Sequence, residues 1–328
     1  MVRKVCFIIL TVCFFAVPWA YAPARNWAPG IAVLAGIIFS LFCGNPFAAY
    51  TSKYTSNLLG ATIVGMGFGM NLVKVVKAGA NGFAYTFTGI IIGIGMGVLL
   101  GKLLKVSKNT SYLVSVGTSI CGGSAIAAAS PVLKAKAHET ALASATVFLL
   151  NAVALWIFPV TGRYLGFDQQ QFGYWAALGI HDTSSVVGAA MAYGEEALEI
   201  GTTVKLARAL WIVPVTLYLA WFVAEKDEYD RKVKLKIPWF IPYFILASAI
   251  VTWLPEIVPS TAEQVAWCGA FIKNISKYLM ISTLFLIGAN LNKDKLRELG
   301  LSPVVHGFVL WLILAVLWCA AIHFKLVP

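Results

Sequence analysis

The sequence predicts an all-α polytopic membrane protein. It forms one integral domain over residues 1–328, with about eleven helical spans and two helices broken by polar, glycine-marked stretches. Three observations predict this. Of the 328 residues, 59% are hydrophobic and only 12% charged, roughly half the charge of a soluble chain. The apolar residues fall in runs of roughly 17–25, the length that crosses a hydrocarbon core. Finally, Gly117 to Pro131, GTSICGGSAIAAASP, puts glycines and hydroxyls where a plain anchor would carry Leu, Ile and Val.

In chain order the spans are expected near 5–21, 28–43, 57–78, 81–101, 111–133, 140–162, 170–193, 201–224, 238–255, 265–290 and 303–324. In the first, Arg3-Lys4, an apolar core and Ala20-Tyr21-Ala22 also fit a signal peptide. An uncleaved helix is preferred, because the further spans need no cleaved leader. Trp19, Tyr21, Trp27 and Trp239 at span ends are interfacial belts. The fifth span holds the Gly117–Pro131 interruption. The seventh holds a second one, Gly179-Ile180-His181-Asp182-Thr183-Ser184-Ser185, followed by Gly188 and Gly194. In the eighth, Lys205 and Arg208 are three apart and share a helix face. The longest polar segment, Glu225 to Lys236, is expected to be a solvated loop. Asn71 and Asn290 close similar phrases, GFGMNL and LIGANL, an echo that an inverted repeat would give.

The net charge of +11 does not mark a nucleic-acid binder. Its Lys and Arg residues sit in short runs between apolar segments and form no stripe interleaved with aromatics. They fit membrane topology instead. With the N-terminus cytoplasmic, the inside collects Arg3, Lys4, Lys53, Lys102, Lys105, Lys108, Arg163, Lys226, Arg231, Lys232, Lys234, Lys236, Lys293, Lys295 and Arg297. The outside collects Arg25, Lys74, Lys77, Lys134, Lys136 and Lys325. An odd number of spans puts the C-terminus outside. The cysteines Cys6, Cys13, Cys43, Cys121, Cys268 and Cys319 stand singly in apolar runs, which argues against a disulfide framework and a zinc or iron–sulfur site. No cofactor is expected beyond a coupling ion, H⁺ or Na⁺.

Asp182 alone among the fourteen acids sits mid-span, and an ionisable group in hydrocarbon is a functional hypothesis by default. Unwound backbone at membrane depth is tolerated only where it is buried in protein or lines a cavity. Half-helices meeting there build substrate sites, and their N-termini attract anions. The candidate substrate-binding residues are Thr118, Ser119, Cys121, Gly122, Gly123, Ser124, Thr183 and Ser184, with Lys205 and Arg208 supplying full charge. His181 and Asp182 form the candidate proton-coupling pair. Each has a plainer reading. The Gly/Ser run can serve close helix packing, and His181 can be a satisfied core histidine. Lys205 and Arg208 can neutralise Asp182 or snorkel.

GTSICGGSAIAAASPVLKAKAHETA, HDTSSVVGAA and TTVKLARALWIVPV resemble the YeiH-like sulfate exporter family of bacterial inner-membrane proteins, from the third span onward. The resemblance implies kinship with the bile-acid/sodium and bicarbonate symporter superfamily. It therefore implies inverted repeats, a panel and a core domain, two unwound helices crossing at the site, and an elevator or rocking motion. It also implies an inner-membrane location, a homodimer, and export of a small sulfate- or sulfite-like oxyanion. The family tends to have Glu after the His, where this chain has Asp182, one methylene shorter. One conflict follows from eleven spans: both interrupted spans run the same way, whereas crossing repeats oppose. A re-entrant segment or a different span count would resolve it.

The competing readings are a sodium-coupled symporter of an organic anion or bicarbonate, and a non-transporting sensor or scaffold. Against the second, no soluble output domain fits between the spans. An enzyme is not expected, since Ser, His and Asp occur without a Gly-x-Ser-x-Gly elbow.

Overall fold

In lipid a backbone polar group must find its partner within its own segment, so apolar runs become helices. The computed structural model describes residues 2–21, 27–223, 239–291 and 300–327. Its helices are α1 Val2–Ala20, α2 Ala28–Cys43, α3 Ala48–Gly67, α4 Leu72–Leu103, α5 Lys108–Ser119, α6 Gly123–Val132 and α7 Ala137–Tyr164. They continue with α8 Gln169–Gly179, α9 Thr183–Tyr193, α10 Glu195–Ala209, α11 Ile212–Tyr218, α12 Phe240–Ile257, α13 Ala262–Ala289 and α14 Leu301–His323. Among the described residues, seven helical stretches are long and apolar enough to cross a membrane. The expected loop at 225–236 and the cations Arg25, Lys226, Arg231, Lys232, Lys234, Lys236, Lys293, Lys295 and Arg297 lie outside the described residues.

Most expected spans coincide with helices, and the third does not. Asn71 explains why: its side chain accepts the amides of Val73 and Lys74 and starts α4 there. Residues 72–78 therefore belong to α4, and α3 begins as early as Ala48.

The helices form two packed groups, α1–α3 with α12 and α13, and α4–α11 with α14. In the first, Phe7 packs among the rings of Phe39, Phe47 and Phe285. In the second, glycines of α4 admit serines of α5. A Cβ on Gly101 would stand 2.5 Å from Ser111 Cβ, and one on Gly97 2.7 Å from Ser115 Cβ. This is the small-residue packing that lipid-embedded helices use, in antiparallel register.

Near and far ends of the bundle can be followed from hydrogen bonds. α1 starts at the near end, where Arg3 Nη1 donates to Cys43 O at 2.9 Å and so brings the end of α2. Asn45 Nδ2 donates to Ala289 O at 3.2 Å, bringing the end of α13. α3 runs from there to the far end, and α4 returns.

The two interrupted segments do not cross. α5 has 12 residues and α6 has 10, so they rise about 18 and 15 Å, half a hydrocarbon core each. A Cβ on Gly117 would lie 2.8 Å from Ile126 Cδ1, whereas nine residues of continuous helix separate their ends by about 13 Å. α6 therefore folds back along α5. Glu139 at the start of α7 accepts from Ser107 Oγ at 2.9 Å and Asn109 Nδ2 at 3.3 Å. This sets the start of α7 beside the start of α5, at the near end.

The second segment repeats the plan from the far end. The Phe172 and Tyr193 rings stack with centroids 3.8 Å apart, and Arg163 Nη2 donates to Ala192 O at 2.6 Å. The end of α9 thus returns to the end of α7 and the start of α8. Among the described residues, two hairpins enter the bundle from opposite ends, joined by α7. This corrects two of the eleven expected crossings and removes the directional conflict, since opposed hairpins need no change in parity. It also moves Lys134 and Lys136 to the end that holds Lys105 and Lys108, and Arg163 to the other.

Candidate functional site

The hairpin tips meet in the middle of the bundle. Gly122 takes φ 69°, ψ −127°, a region in which only glycine is unstrained. A Cβ there would come 3.3 Å from Asp182 Cβ on the opposite tip. Each tip presents a helix C-terminus, of α5 or α8, and a helix N-terminus, of α6 or α9. Those ends carry opposite partial charges and orphan backbone groups, and the structure treats them differently.

The C-termini are held by α10. Arg208 Nε donates to Ser119 O at 2.7 Å and Nη2 to Thr118 O at 3.3 Å. Its Nη1 donates to Leu178 O at 2.7 Å and Ala177 O at 3.0 Å. Lys205 Nζ donates to Ile180 O at 2.5 Å and Ala177 O at 3.4 Å. The two side chains are 1% and 0% exposed. The two basic side chains therefore close the carbonyl ends of both entering arms and tie the hairpins together. Among the described residues neither forms an ion pair with Asp182.

The N-termini face a cavity of about 630 Å³ between the two helix groups. Thr55, Ser56 and Asn290 line it from the first group, and Ser124, Phe148, Asn151, Asp182 and Ser185 from the second. Its wall extends to Ala137 and Thr140 at the start of α7 and to Leu291 after α13, so it reaches toward the near end. Toward the far end, Gly188 of α9 packs on Leu155, Leu284 and Pro29. Farther out, Glu195 on α10 pairs with Lys273 at 3.2 Å and with Lys277, both on α13, across the two groups.

The two N-termini differ. α9 is capped by its own residue: Asp182 Oδ2 accepts the Ser184 amide at 3.1 Å and the Ser184 hydroxyl. α6 begins after Gly122 with no side-chain cap. Its first-turn amides at Gly123 and Ser124, which lack intrahelical partners, belong to residues that line the cavity. Among the described lining residues Asp182 is the only charged one.

The expected site residues therefore separate. Gly123, Ser124, Asp182 and Ser184 line the cavity, and Gly122 and Thr183 flank its wall. Thr118, Ser119 and Cys121 do not line it. Ser119 faces Gly93 of α4, so it serves packing, and Cys121 is 3% exposed. Lys205 and Arg208 bind carbonyls behind the tips and not the cavity, because the helix C-termini need them there. His181 is 1% exposed and turned toward Trp311. Its ring lies apart from the cavity, so it and Asp182 do not share one surface.

Sequence reading missed Asn151. Its Oδ1 accepts the amides of His181 at 3.2 Å and Asp182 at 3.1 Å, fixing the second tip against α7. A lone Asn inside the apolar run of the sixth span was the available signal. In the sequence Asn290 stands out only as an echo of Asn71. It accepts from Thr51 Oγ1 at 2.6 Å and lies at the cavity edge.

Fold and site together define a polytopic all-α membrane protein whose two opposed re-entrant hairpins meet at an internal cavity. The chain belongs to the family described as conserved hypothetical protein 698, whose model matches residues 5–307. It is similar to a UPF0324 membrane protein of Bdellovibrio bacteriovorus, 44% identical over 96% of this chain and 92% of that one. It is similar also to UPF0324 membrane proteins of Bacteroides thetaiotaomicron (42%, over 97% and 94%) and Geobacter sulfurreducens (42%, over 96% and 94%). No solved structure matches the chain.

Proposed function

We propose that this protein is a secondary transporter of a small anion, sulfate- or sulfite-like, that works by alternating access and couples the anion to a cation at Asp182. The observation that carries the reading is the meeting of two opposed hairpin tips at a cavity between two helix groups. Opposed repeats with broken helices at mid-depth are a transporter plan. Two groups with a cavity between them can rock or slide against each other, opening it to either side.

The polarity of the tips supports an anion. Their negative ends are neutralised by Lys205 and Arg208, and the uncapped positive end of α6 faces the cavity. An anion at a helix N-terminus needs no further charge. Asp182, however, would repel it at close range. A proton or Na⁺ on Asp182 removes the repulsion, which gives a physical reason for coupling. The sodium-coupled reading shares this geometry, since among the described residues Asp182 is the one charged lining side chain. The family resemblance favours the inorganic oxyanion, outward transport and a bacterial inner-membrane location, with homodimers as the expected assembly.

Lys and Arg at the near end, Arg3, Lys4, Lys102, Lys105, Lys108, Lys134 and Lys136, support a cytoplasmic side for it. The described cavity then faces inward. Proteoliposomes loaded with radiolabelled sulfate or sulfite test the reading under imposed pH or Na⁺ gradients. Flux whose dependence on the gradient is lost in Asp182→Asn supports it. Flux that is independent of both gradients removes the coupling, and absence of flux for all anions tried removes the anion.

A further inference from the structure

Asn151 is 3% exposed, on a wall shared with Asp182 and Ser185. Its carbonyl oxygen is fully engaged by the amides of His181 and Asp182. That fixes which way the side-chain amide points, because exchanging oxygen and nitrogen would set donors against donors. The NH₂ group consequently faces away from those two amides, its nitrogen almost fully covered by the cavity wall. Among the described residues it has no hydrogen-bond partner. A buried donor left unmade costs as much as a lost hydrogen bond, so an unpartnered NH₂ beside a cavity marks a place for an acceptor.

The first turn of α6 lies on the same wall. Gly123 and Ser124 line the cavity, and the helix has no side-chain cap. The absence of a side chain at Gly123 lets Phe148 close over it, since a Cβ would stand 2.8 Å from the ring. The α9 N-terminus offers nothing comparable, because Asp182 and the Ser184 hydroxyl already satisfy each other.

We propose that Asn151 is a ligand-binding residue whose NH₂ group, with the first-turn amides of α6, holds an oxygen of the transported anion. The anion then lies beside, and not upon, the cation carried by Asp182. The inference rests on the anion-transport reading and deepens it. It assigns anion recognition to neutral donors on α6 and α7, and leaves Lys205 and Arg208 outside the substrate shell. Since the two ligands occupy one cavity with opposite charge, each raises the affinity of the other by the same factor.

The test is thermal unfolding of the purified full chain in detergent, titrated with sodium sulfate, sulfite, bicarbonate and acetate against sodium chloride. A ligand that binds only the folded state raises the unfolding temperature. Asn151→Asp keeps an acceptor for the two tip amides and loses the NH₂ group. Asn151→Ser, which adds no charge, is read alongside it and in its place if the first variant does not fold. The expected result is that at least one anion stabilises the wild-type protein. Both variants should then need roughly tenfold more of it, or more, for half the effect. An unchanged half-saturating concentration in the variants overturns the role of Asn151 while leaving the transport reading intact. If none of the four anions stabilises the wild-type protein, the anion reading itself falls.

Discussion

Replacing Arg208 by Met separates a structural from a ligand-binding role. The Arg208 guanidinium donates to four carbonyls on two hairpins, three of them at 2.7–3.0 Å. Met nearly conserves volume but donates nothing, so the carbonyls of Ser119, Ala177 and Leu178 are left buried. A hydrogen bond to a charged group contributes about 1.5–3 kcal/mol, and three would sum to more than relaxation allows. Removing one partner of a buried charged cluster typically costs about 3–5 kcal/mol. At roughly 2–4 °C per kcal/mol, the unfolding temperature should fall by roughly 6–20 °C. Arg208→Lys should recover part of this, because one ammonium cannot reach both tips as a planar fork does. Unfolding followed by tryptophan fluorescence, with and without sulfate, gives the answer. A variant that unfolds at the wild-type temperature but has lost its anion response would refute the reasoning and return Arg208 to the substrate site.

Other outcomes follow from particular contacts. Gly101→Ala places a methyl 2.5 Å from Ser111 Cβ and should cost about 1–3 kcal/mol. Gly95→Ala, with nothing within 4 Å, should be neutral or slightly stabilising; equal effects of the two in thermal unfolding would contradict the α4–α5 packing. Glu195→Gln removes the pairing with Lys273 and Lys277 across the helix groups. The Glu195 end is exposed and the lysine ends are partly covered; pairs open to solvent are worth about 0.2–1 kcal/mol, enough to shift a conformational equilibrium up to about fivefold. Electron-resonance distances between labels on α10 and α13 should broaden toward longer separations, and an unchanged distribution would show that the pairs are no latch. Asp182→Asn should leave flux in proteoliposomes without its pH or Na⁺ dependence; wild-type dependence in the variant would remove Asp182 from coupling.

The class of protein was legible from hydrophobic run length, and the two interruptions from glycine and hydroxyl content. Direction was not. A broken span and a re-entrant hairpin share the same composition, and only long-range contacts such as Gly117 with Ile126 or Phe172 with Tyr193 distinguish them. The prominence of Lys205 and Arg208 was legible, and their partners were not. Cations beside unwound helices suggest a bound anion, yet these helix C-termini made a stronger claim on them through their carbonyls. Ser119 looked like a donor and proved to be one tooth of the glycine–serine packing with α4. Asn151 escaped notice because a single amide in a long apolar run has no local pattern; what marks it is two amides thirty residues further along the chain.

The site requires two hairpins that enter from opposite ends. Single cysteines at Lys105, Lys134, Leu165 and Glu196, in a background lacking Cys6, Cys13, Cys43, Cys121, Cys268 and Cys319, can be labelled with a membrane-impermeant maleimide. Intact cells and inverted vesicles report the two sides. Lys105→Cys and Lys134→Cys should react from one common side, and Leu165→Cys and Glu196→Cys from the other. If Lys105→Cys and Lys134→Cys react from opposite sides, the first segment crosses the membrane, and the site built on the meeting tips is wrong.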